Sequence, residues 1–236
     1  MKTAIVLAGG FGTRLRPLTY EVPKPLIPVQ GVTLTEKVIS KLKEAGVSKV
    51  YLSIGYMADK IIDYFKGRDV GVKIEFLVEK EPLGTGGCFH LLSKKQIKED
   101  FSKDFIVVNG DNLFDLDWEK MLLLHKKNDA LITIALTEVE DVTSRGVVKL
   151  SGDRIVKFVE KPKKEDAPSN YISSGYYIFS SKVFLELPAE KKFMLERELF
   201  PKVASNKKLF GYYDSGQWFD TGTFERWEEV IAKWKK

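Results

Sequence analysis

Cysteine is nearly absent from this sequence of 236 residues. Cys88 stands alone, so no internal disulfide framework can form, and the expected location is a reducing compartment, the cytoplasm. The cysteine itself reads as a small apolar filler. Histidine is almost as scarce: His90 and His125 fall outside every motif below and read as ordinary helix or surface residues. No stretch of about 18 apolar residues occurs, which excludes a membrane-spanning helix. Ala4-Ile5-Val6-Leu7 is a core-type run close to the first residue, so no signal peptide is expected. Internal repeats, low-complexity tracts and long Lys/Arg blocks are missing too. Lys and Arg total 38 against 33 Asp and Glu, and this dispersed surplus of +5 suits a pocket for phosphates at least as well as nucleic acid. A nucleic-acid binder needs a basic stripe with exposed aromatics, whereas most Trp and Tyr here sit in strand or helix patterns. No nucleic-acid or membrane partner is expected. Lys233, Lys235 and Lys236 read as a solvated helix end, with cations suited to the C-terminal dipole.

What is present is an α/β pattern. The 44% hydrophobic content suffices for one large α/β domain or two small ones. Strand-like runs at Ala4–Leu7, Val50–Ile54, Val72–Val78, Phe105–Val108 and Ala130–Leu136 alternate with helical patterns at Thr35–Ala45, Ala58–Phe65 and Trp118–Lys127. Apolar strands of this kind are buried on both faces, which implies a mostly parallel sheet flanked by helices. The second half changes character. Val147–Leu150 and Ile155–Val159 flank the hairpin-type turn Ser151-Gly152-Asp153, and Tyr171–Phe179 and Leu209–Tyr213 are aromatic-rich strands. Short helices are predicted near Ser181–Leu187 and Leu195–Ala204, an exposed loop over Lys161–Ser169, and a closing amphipathic helix over Thr223–Trp234. The expected fold is one Rossmann-like domain over 1–236, a mixed sheet with an antiparallel extension and no second domain. Leu209–Tyr213 is the candidate edge for pairing subunits into a homo-oligomer.

The first strand runs into Gly9-Gly10-Phe11-Gly12-Thr13-Arg14. Glycines let backbone N–H groups approach a ligand, and the C-terminal end of the first parallel strand is where α/β sheets bind ligands. The segment matches neither the P-loop nor the dinucleotide fingerprint. Arg14, Arg16 and Lys24 share one loop with Pro17, Pro23, Pro25 and Pro28, which stiffen it. Cations held this way suit a polyphosphate, the plainer alternative being a solvated basic loop.

The run from Leu7 and Ala8 through the glycine turn to Leu15-Arg16-Pro17-Leu18-Thr19, followed by Pro23-Lys24-Pro25-Leu26, resembles the signature of the sugar-phosphate nucleotidyltransferases, and the similarity continues at intervals to residue 226. The motif style is similar to that of mannose-1-phosphate guanylyltransferases. The resemblance implies that Leu7, Ala8, Gly9, Gly10, Gly12 and Thr13 cradle a nucleoside triphosphate, with 1–140 the nucleotide half and 141–236 the sugar-phosphate half. Within Glu81-Pro82-Leu83-Gly84-Thr85, it places Glu81, Gly84 and Thr85 against the nucleobase; read alone, the segment is a turn with an N-cap. The acid in Asn109-Gly110-Asp111 follows a buried strand, where a carboxylate ordinarily makes a turn or cap but is also placed to hold Mg²⁺ on phosphates. The family has metal-binding acids at Asp111 and at Asp220 of Trp218-Phe219-Asp220-Thr221-Gly222-Thr223. Asp220 alone would read as a helix cap, a task open also to Thr221 or Thr223. By resemblance Asn109, Gly110, Gly146, Glu160, Asn170 and Gly175 face substrate, and Lys161 holds the sugar phosphate. Gly31–Thr35 and Ser144-Arg145-Gly146 depart from the family pattern, and no C-terminal hexapeptide β-helix is expected.

The implied reaction joins a nucleoside triphosphate and a sugar 1-phosphate into a nucleotide sugar and pyrophosphate, with Mg²⁺ as cofactor and Arg14, Lys24 and Lys161 as the catalytic cations. GTP with mannose 1-phosphate is the favoured pair. Uridylyl or thymidylyl transfer to glucose 1-phosphate or another sugar 1-phosphate is the alternative. A non-catalytic nucleotide-sugar sensor or regulatory subunit is the competing class, and it would be expected to lack one of the phosphate cations or acids that this chain retains.

Overall fold

The computed structural model describes residues 1–235, so the expectation for Lys236 lies outside the described residues. The α/β class is as the sequence leads one to expect: mixed parallel and antiparallel strands flanked by helices. The chain divides into two compact units. One is built from residues 1–82, 107–115 and 217–236, the other from 83–106 and 116–216.

In the first unit, Thr3–Leu7 lies parallel to Lys49–Ile54, which in turn lies parallel to Lys73–Val78. Both inner strands are almost wholly buried, the burial their continuous apolar runs require. Leu34–Glu44 begins at a capping box in which Thr33 and Glu36 bond reciprocally, and Val38, Ile39 and Leu42 face inward. Ala58–Phe65 buries Ile61 and Phe65. A short antiparallel ladder sets Asn112–Phe114 against Trp218–Asp220, with Asp220 opposite Asn112. Phe224–Lys233 is the final helix. Its N-cap is Thr223, whose hydroxyl accepts from the Arg226 N–H, so Asp220 is not spent on capping.

In the second unit the strands run in the order Tyr171–Phe179, Ile132–Glu138, Leu209–Tyr213, Arg154–Glu160, Gly146–Ser151. The last pairs back onto the first at Val147 opposite Ile172, so the pairings close into a ring of five strands. All are antiparallel except Leu209–Tyr213 with Ile132–Glu138. Leu209–Tyr213 is therefore an interior strand with a neighbour on each side, and it does not offer a free edge for subunit pairing. Gly175, at φ 83°, sits in a register shift between Ser173 and Tyr177, a bend that favours glycine. The helix expected over Leu195–Ala204 is two pieces: a π-helical turn Leu195–Leu199 and an α-helix Phe200–Ser205. Pro201, with no N–H, interrupts the hydrogen-bond ladder there. The region near Ser181–Leu187 is a 3₁₀ turn, Ser181–Leu185. A helix the sequence reading omitted, Lys94–Asp100, starts at a Ser93–Gln96 capping box.

Candidate active site

In the first unit, the glycine turn follows Thr3–Leu7 and is held from several sides. Ala8 N–H donates to the Ser53 carbonyl at 2.8 Å, and Gly110 N–H to the Leu7 carbonyl at 2.9 Å. Gly10 is exposed, with nothing within 4 Å of where a Cβ would stand, which leaves room for a ligand. Gly12 is at φ 62°, and a Cβ there would meet Thr19 Cγ2 at 2.9 Å and Lys24 Cβ at 3.2 Å. Thr19 Oγ1 donates to the Gly12 carbonyl at 2.9 Å, and the Tyr56 hydroxyl donates to the Thr19 carbonyl at 3.1 Å. The loop is thus fastened to the segment that carries Lys24.

Thr13–Leu15 is a 3₁₀ turn that presents Arg14 to solvent, and Lys24 begins a second such turn between Pro23 and Pro25. Lys24 Nζ meets Asp111 Oδ2 at 2.7 Å. Burial pushes the Asp111 carboxyl up, but the charges of Lys24 and Arg14 outweigh it and hold the group below its ordinary range, so it is ionised at neutral pH. Asp111 is tied to Asp220 through the backbone: Thr221 N–H and Oγ1 both donate to the Asp111 carbonyl at 2.9 Å. Asp220 Oδ1 accepts the Gly222 N–H at 2.7 Å, and the arginine Arg226 caps the carboxylate at 3.1 Å. Gly222 leaves space that a Cβ would contest with Asp220 Oδ1 at 2.8 Å and Arg14 Nη2 at 3.0 Å. So Arg14, Lys24, Asp111 and Asp220, 206 positions apart in chain numbering from 14 to 220, are brought together with the glycine turn. Asn109 Oδ1 is buried without a hydrogen-bond partner, as a group awaiting a ligand would be.

Two hard carboxylates on paired segments suit a small divalent cation whose remaining ligands are phosphate and water oxygens. No cluster of three or more His, Cys, Asp or Glu able to hold a metal exists among the described residues, so the protein alone does not complete such a shell. Glu81 is exposed at the end of the unit's first segment of chain.

In the second unit, Glu160 ends the strand Arg154–Glu160 opposite Gly146. A Cβ at Gly146 would run into the Phe158 ring and stand 3.1 Å from Glu160 Oε2, so glycine leaves the carboxylate its place. Lys161 is left-handed at φ 49°, its N–H donates to the Arg145 carbonyl at 2.9 Å, and its Nζ lies 3.4 Å from Glu160 Oε1. Its side chain is 58% exposed, free to meet an anion. Asn170 is exposed. Gly84 (φ 78°) packs against the Phe193 carbonyl, and Thr85 Oγ1 donates to Glu196 Oε2 at 2.5 Å while accepting the Leu195 N–H at 2.9 Å. Burial raises the Glu196 pKa, and the nearby Glu160 charge adds to the rise.

Glu196 and Arg226 are the site-adjacent residues that the sequence reading missed. Both sit in helical patterns where a charged side chain ordinarily means a solvated face, and both act on partners distant in the chain or off the helix. His125, read as ordinary, is buried, 2.8 Å from Thr133 Oγ1, and burial lowers its pKa so that it is neutral at pH 7. No helix among the described residues is long and apolar enough to cross a membrane.

Comparison with known proteins bears on the family and the fold. The family model described as nucleotidyl transferase matches residues 3–236. A mannose-1-phosphate guanylyltransferase of Mycobacterium tuberculosis is 36% identical over 226 residues, covering 94% of this chain and 61% of the relative. The bifunctional protein GlmU of Methanococcus maripaludis is 38% identical over 234 residues, 97% of this chain and 53% of its own. The chain therefore spans about half to three fifths of these relatives' length. The crystal structure of HddC from Yersinia pseudotuberculosis complexed with GMP-PN superposes with a TM-score of 0.80 at 31% identity and covers 100% of both chains.

Proposed function

We propose, since this chain belongs to the nucleotidyl transferase family, that it joins a nucleoside triphosphate to a sugar 1-phosphate and releases pyrophosphate. The observation that carries this reading is the convergence of Arg14, Lys24, Asp111 and Asp220 on the glycine turn. GTP with mannose 1-phosphate is the favoured pair, supported by the guanylyltransferase relative and by the HddC structure with GMP-PN.

In the proposed reaction a phosphate oxygen of the sugar 1-phosphate attacks the α-phosphorus in line. The bond from the α-phosphorus to the bridging oxygen breaks, and pyrophosphate leaves with that electron pair. The nucleophile is already an anion, so no general base is needed. The residues act by position and charge. The glycine-turn N–H groups and Arg14 bind the triphosphate. Lys24, delivered by its proline-stiffened turn, neutralises charge at the α-phosphate. Lys161 binds the sugar phosphate, and Glu160 accepts from sugar hydroxyls. Gly146 and Gly175 allow close approach of the sugar, and Asn109, Gly110 and Asn170 complete the substrate contacts. Glu81, Gly84 and Thr85 border the nucleobase. A divalent cation, Mg²⁺ in this proposal, would be held by Asp111 and Asp220 and supplies countercharge to the phosphates when bound. The lone buried Cys88 fits a cytoplasmic protein.

The test is pyrophosphate release with GTP, UTP, dTTP, CTP and ATP against mannose, glucose and heptose 1-phosphates in the presence of Mg²⁺. A signal confined to GTP with mannose 1-phosphate is expected. A different pair keeps the reaction and replaces the substrates. No turnover with any pair, from folded protein that binds nucleotide, moves the reading to a sensor.

A further inference from the structure

Arg226 lies in the first turn of the helix Phe224–Lys233, and its Nη1 stands 3.1 Å from Oδ2 and 3.3 Å from Oδ1 of Asp220. The near-equal distances put one nitrogen in front of the carboxylate, between its two oxygens. A cation chelated by that carboxylate would sit in the same position. The Asp220 side chain is only 5% exposed, so its charge is costly without a counterion. Lys24 does the corresponding thing at the other acid, Asp111. Each of the two acids thus carries one cation from the protein itself.

The helix bearing Arg226 has moorings that do not involve Asp220. Thr223 caps it, and the Trp227 indole N–H donates to the Pro28 carbonyl at 2.9 Å. Gln30 Nε2 donates to the Ile231 and Trp234 carbonyls at 3.0 and 2.8 Å. The Arg226 side chain is 32% exposed, so the guanidinium has solvent to withdraw into while its helix stays in place.

We propose that Arg226 is a positioning residue that occupies the seat of a divalent cation on Asp220, and that the cation binds in competition with the Arg226–Asp220 ion pair. This rests on the reading that Asp111 and Asp220 hold a divalent cation. Its consequence is that each acid keeps a countercharge from the protein, and the fold needs no metal, until the nucleotide's own phosphates help recruit one. Removing the arginine transfers the balancing task to the metal, and stability becomes metal-dependent by mass action.

The experiment is thermal unfolding and Mn²⁺ binding, the latter by electron paramagnetic resonance of the free ion, on nucleotide-free protein. The proteins compared are wild type, Arg226→Gln, Asp220→Asn and the double variant. In EDTA, Arg226→Gln is expected to melt roughly 5–10 °C below wild type, the loss of one partner from a buried pair. Millimolar Mn²⁺ is expected to restore most of that, with affinity about tenfold tighter than wild type, a coupling of ordinary size. The double variant should show neither effect. Mn²⁺ affinity in Arg226→Gln no tighter than wild type overturns the proposal. Should that variant fail to fold, Arg226→Ala with Asp220→Asn removes both charges, and Arg226→Lys carries the test: a lysine ammonium reaches the carboxylate less fully, and unchanged Mn²⁺ affinity overturns the proposal. A second titration, with GTP present, compares wild type with Asp220→Asn and Asp111→Asn: Mn²⁺ binding that both variants leave intact would instead overturn the cation reading itself.

Discussion

Nζ of Lys24 stands 2.7 Å from Oδ2 of Asp111, a residue 87 positions further along the chain. The pair joins the proline-stiffened loop to the turn after a buried strand, and the Lys24 charge helps hold the Asp111 carboxyl below its ordinary range against the upward push of burial. Asp111→Asn preserves the shape and removes the charge. It is expected to lower kcat/KM by about 10²–10³, the usual cost of losing a charge contact in the transition state. Steady-state pyrophosphate release checks this, and full activity would sink the assigned role.

The two phosphate cations should separate by substrate. Arg14→Ala is expected to weaken the nucleoside triphosphate, and Lys161→Ala the sugar 1-phosphate, each by roughly 10–10² in kcat/KM or more. Both side chains are exposed, so melting temperature should move little. Initial rates with each substrate varied in turn distinguish them, and a common loss for both substrates in both variants would contradict the assignment.

Gly12→Ala tests the turn. The left-handed φ of 62° and the 2.9 Å approach to Thr19 Cγ2 leave no place for a methyl group. A destabilisation of about 1–3 kcal/mol is expected, together with weaker nucleotide binding. Gly10→Ala meets nothing within 4 Å and should leave stability unchanged, which makes it the control in the same melting experiment.

Glu196 predicts a pH effect. Burial raises its pKa, so the folded state holds the proton more tightly than the unfolded state does. The stability it contributes is present below the unfolded pKa and is lost as pH rises through the folded one. Glu196→Gln keeps an acceptor for the Thr85 hydroxyl and removes the ionisation. The melting-temperature difference, variant minus wild type, should therefore grow from acidic pH to pH 8. A flat difference, measured in matched buffers across that range, would show that the carboxyl does not titrate.

Much of the first unit was legible in the sequence because its signals are local. Ala4–Leu7 reads as a strand from four apolar residues, and the glycines announce the turn. The helix Leu34–Glu44 is legible, within a residue at each end, from the spacing of Val38, Ile39 and Leu42. Asp220 could not be told from a helix cap until Thr223 was seen to take that task. Arg226 and Glu196 were illegible because their meaning lies in partners that spacing does not reveal: an acid outside the helix for one, a hydroxyl 111 positions away for the other. The closing contact between Val147 and Ile172 was hidden for the same reason, since an alternating strand pattern says which face is buried but not which strand is next to it. The Lys94–Asp100 helix was readable from Ser93 and Gln96, and its omission was a missed signal.

The order of the segments also bears on synthesis. The first unit is assembled from residues 1–82, 107–115 and 217–236, so its final piece follows the whole of the second unit in the chain. A ribosome delivers the glycine turn first, Asp111 later, and Asp220 with Arg226 only after the second unit. A nascent chain that has exposed every residue up to Gly216 still lacks one of its two acids and the helix that braces it. Loss of residues 217–236 by premature termination or proteolysis would thus remove Asp220, Thr221 and Arg226 together while leaving every residue of the second unit in the product.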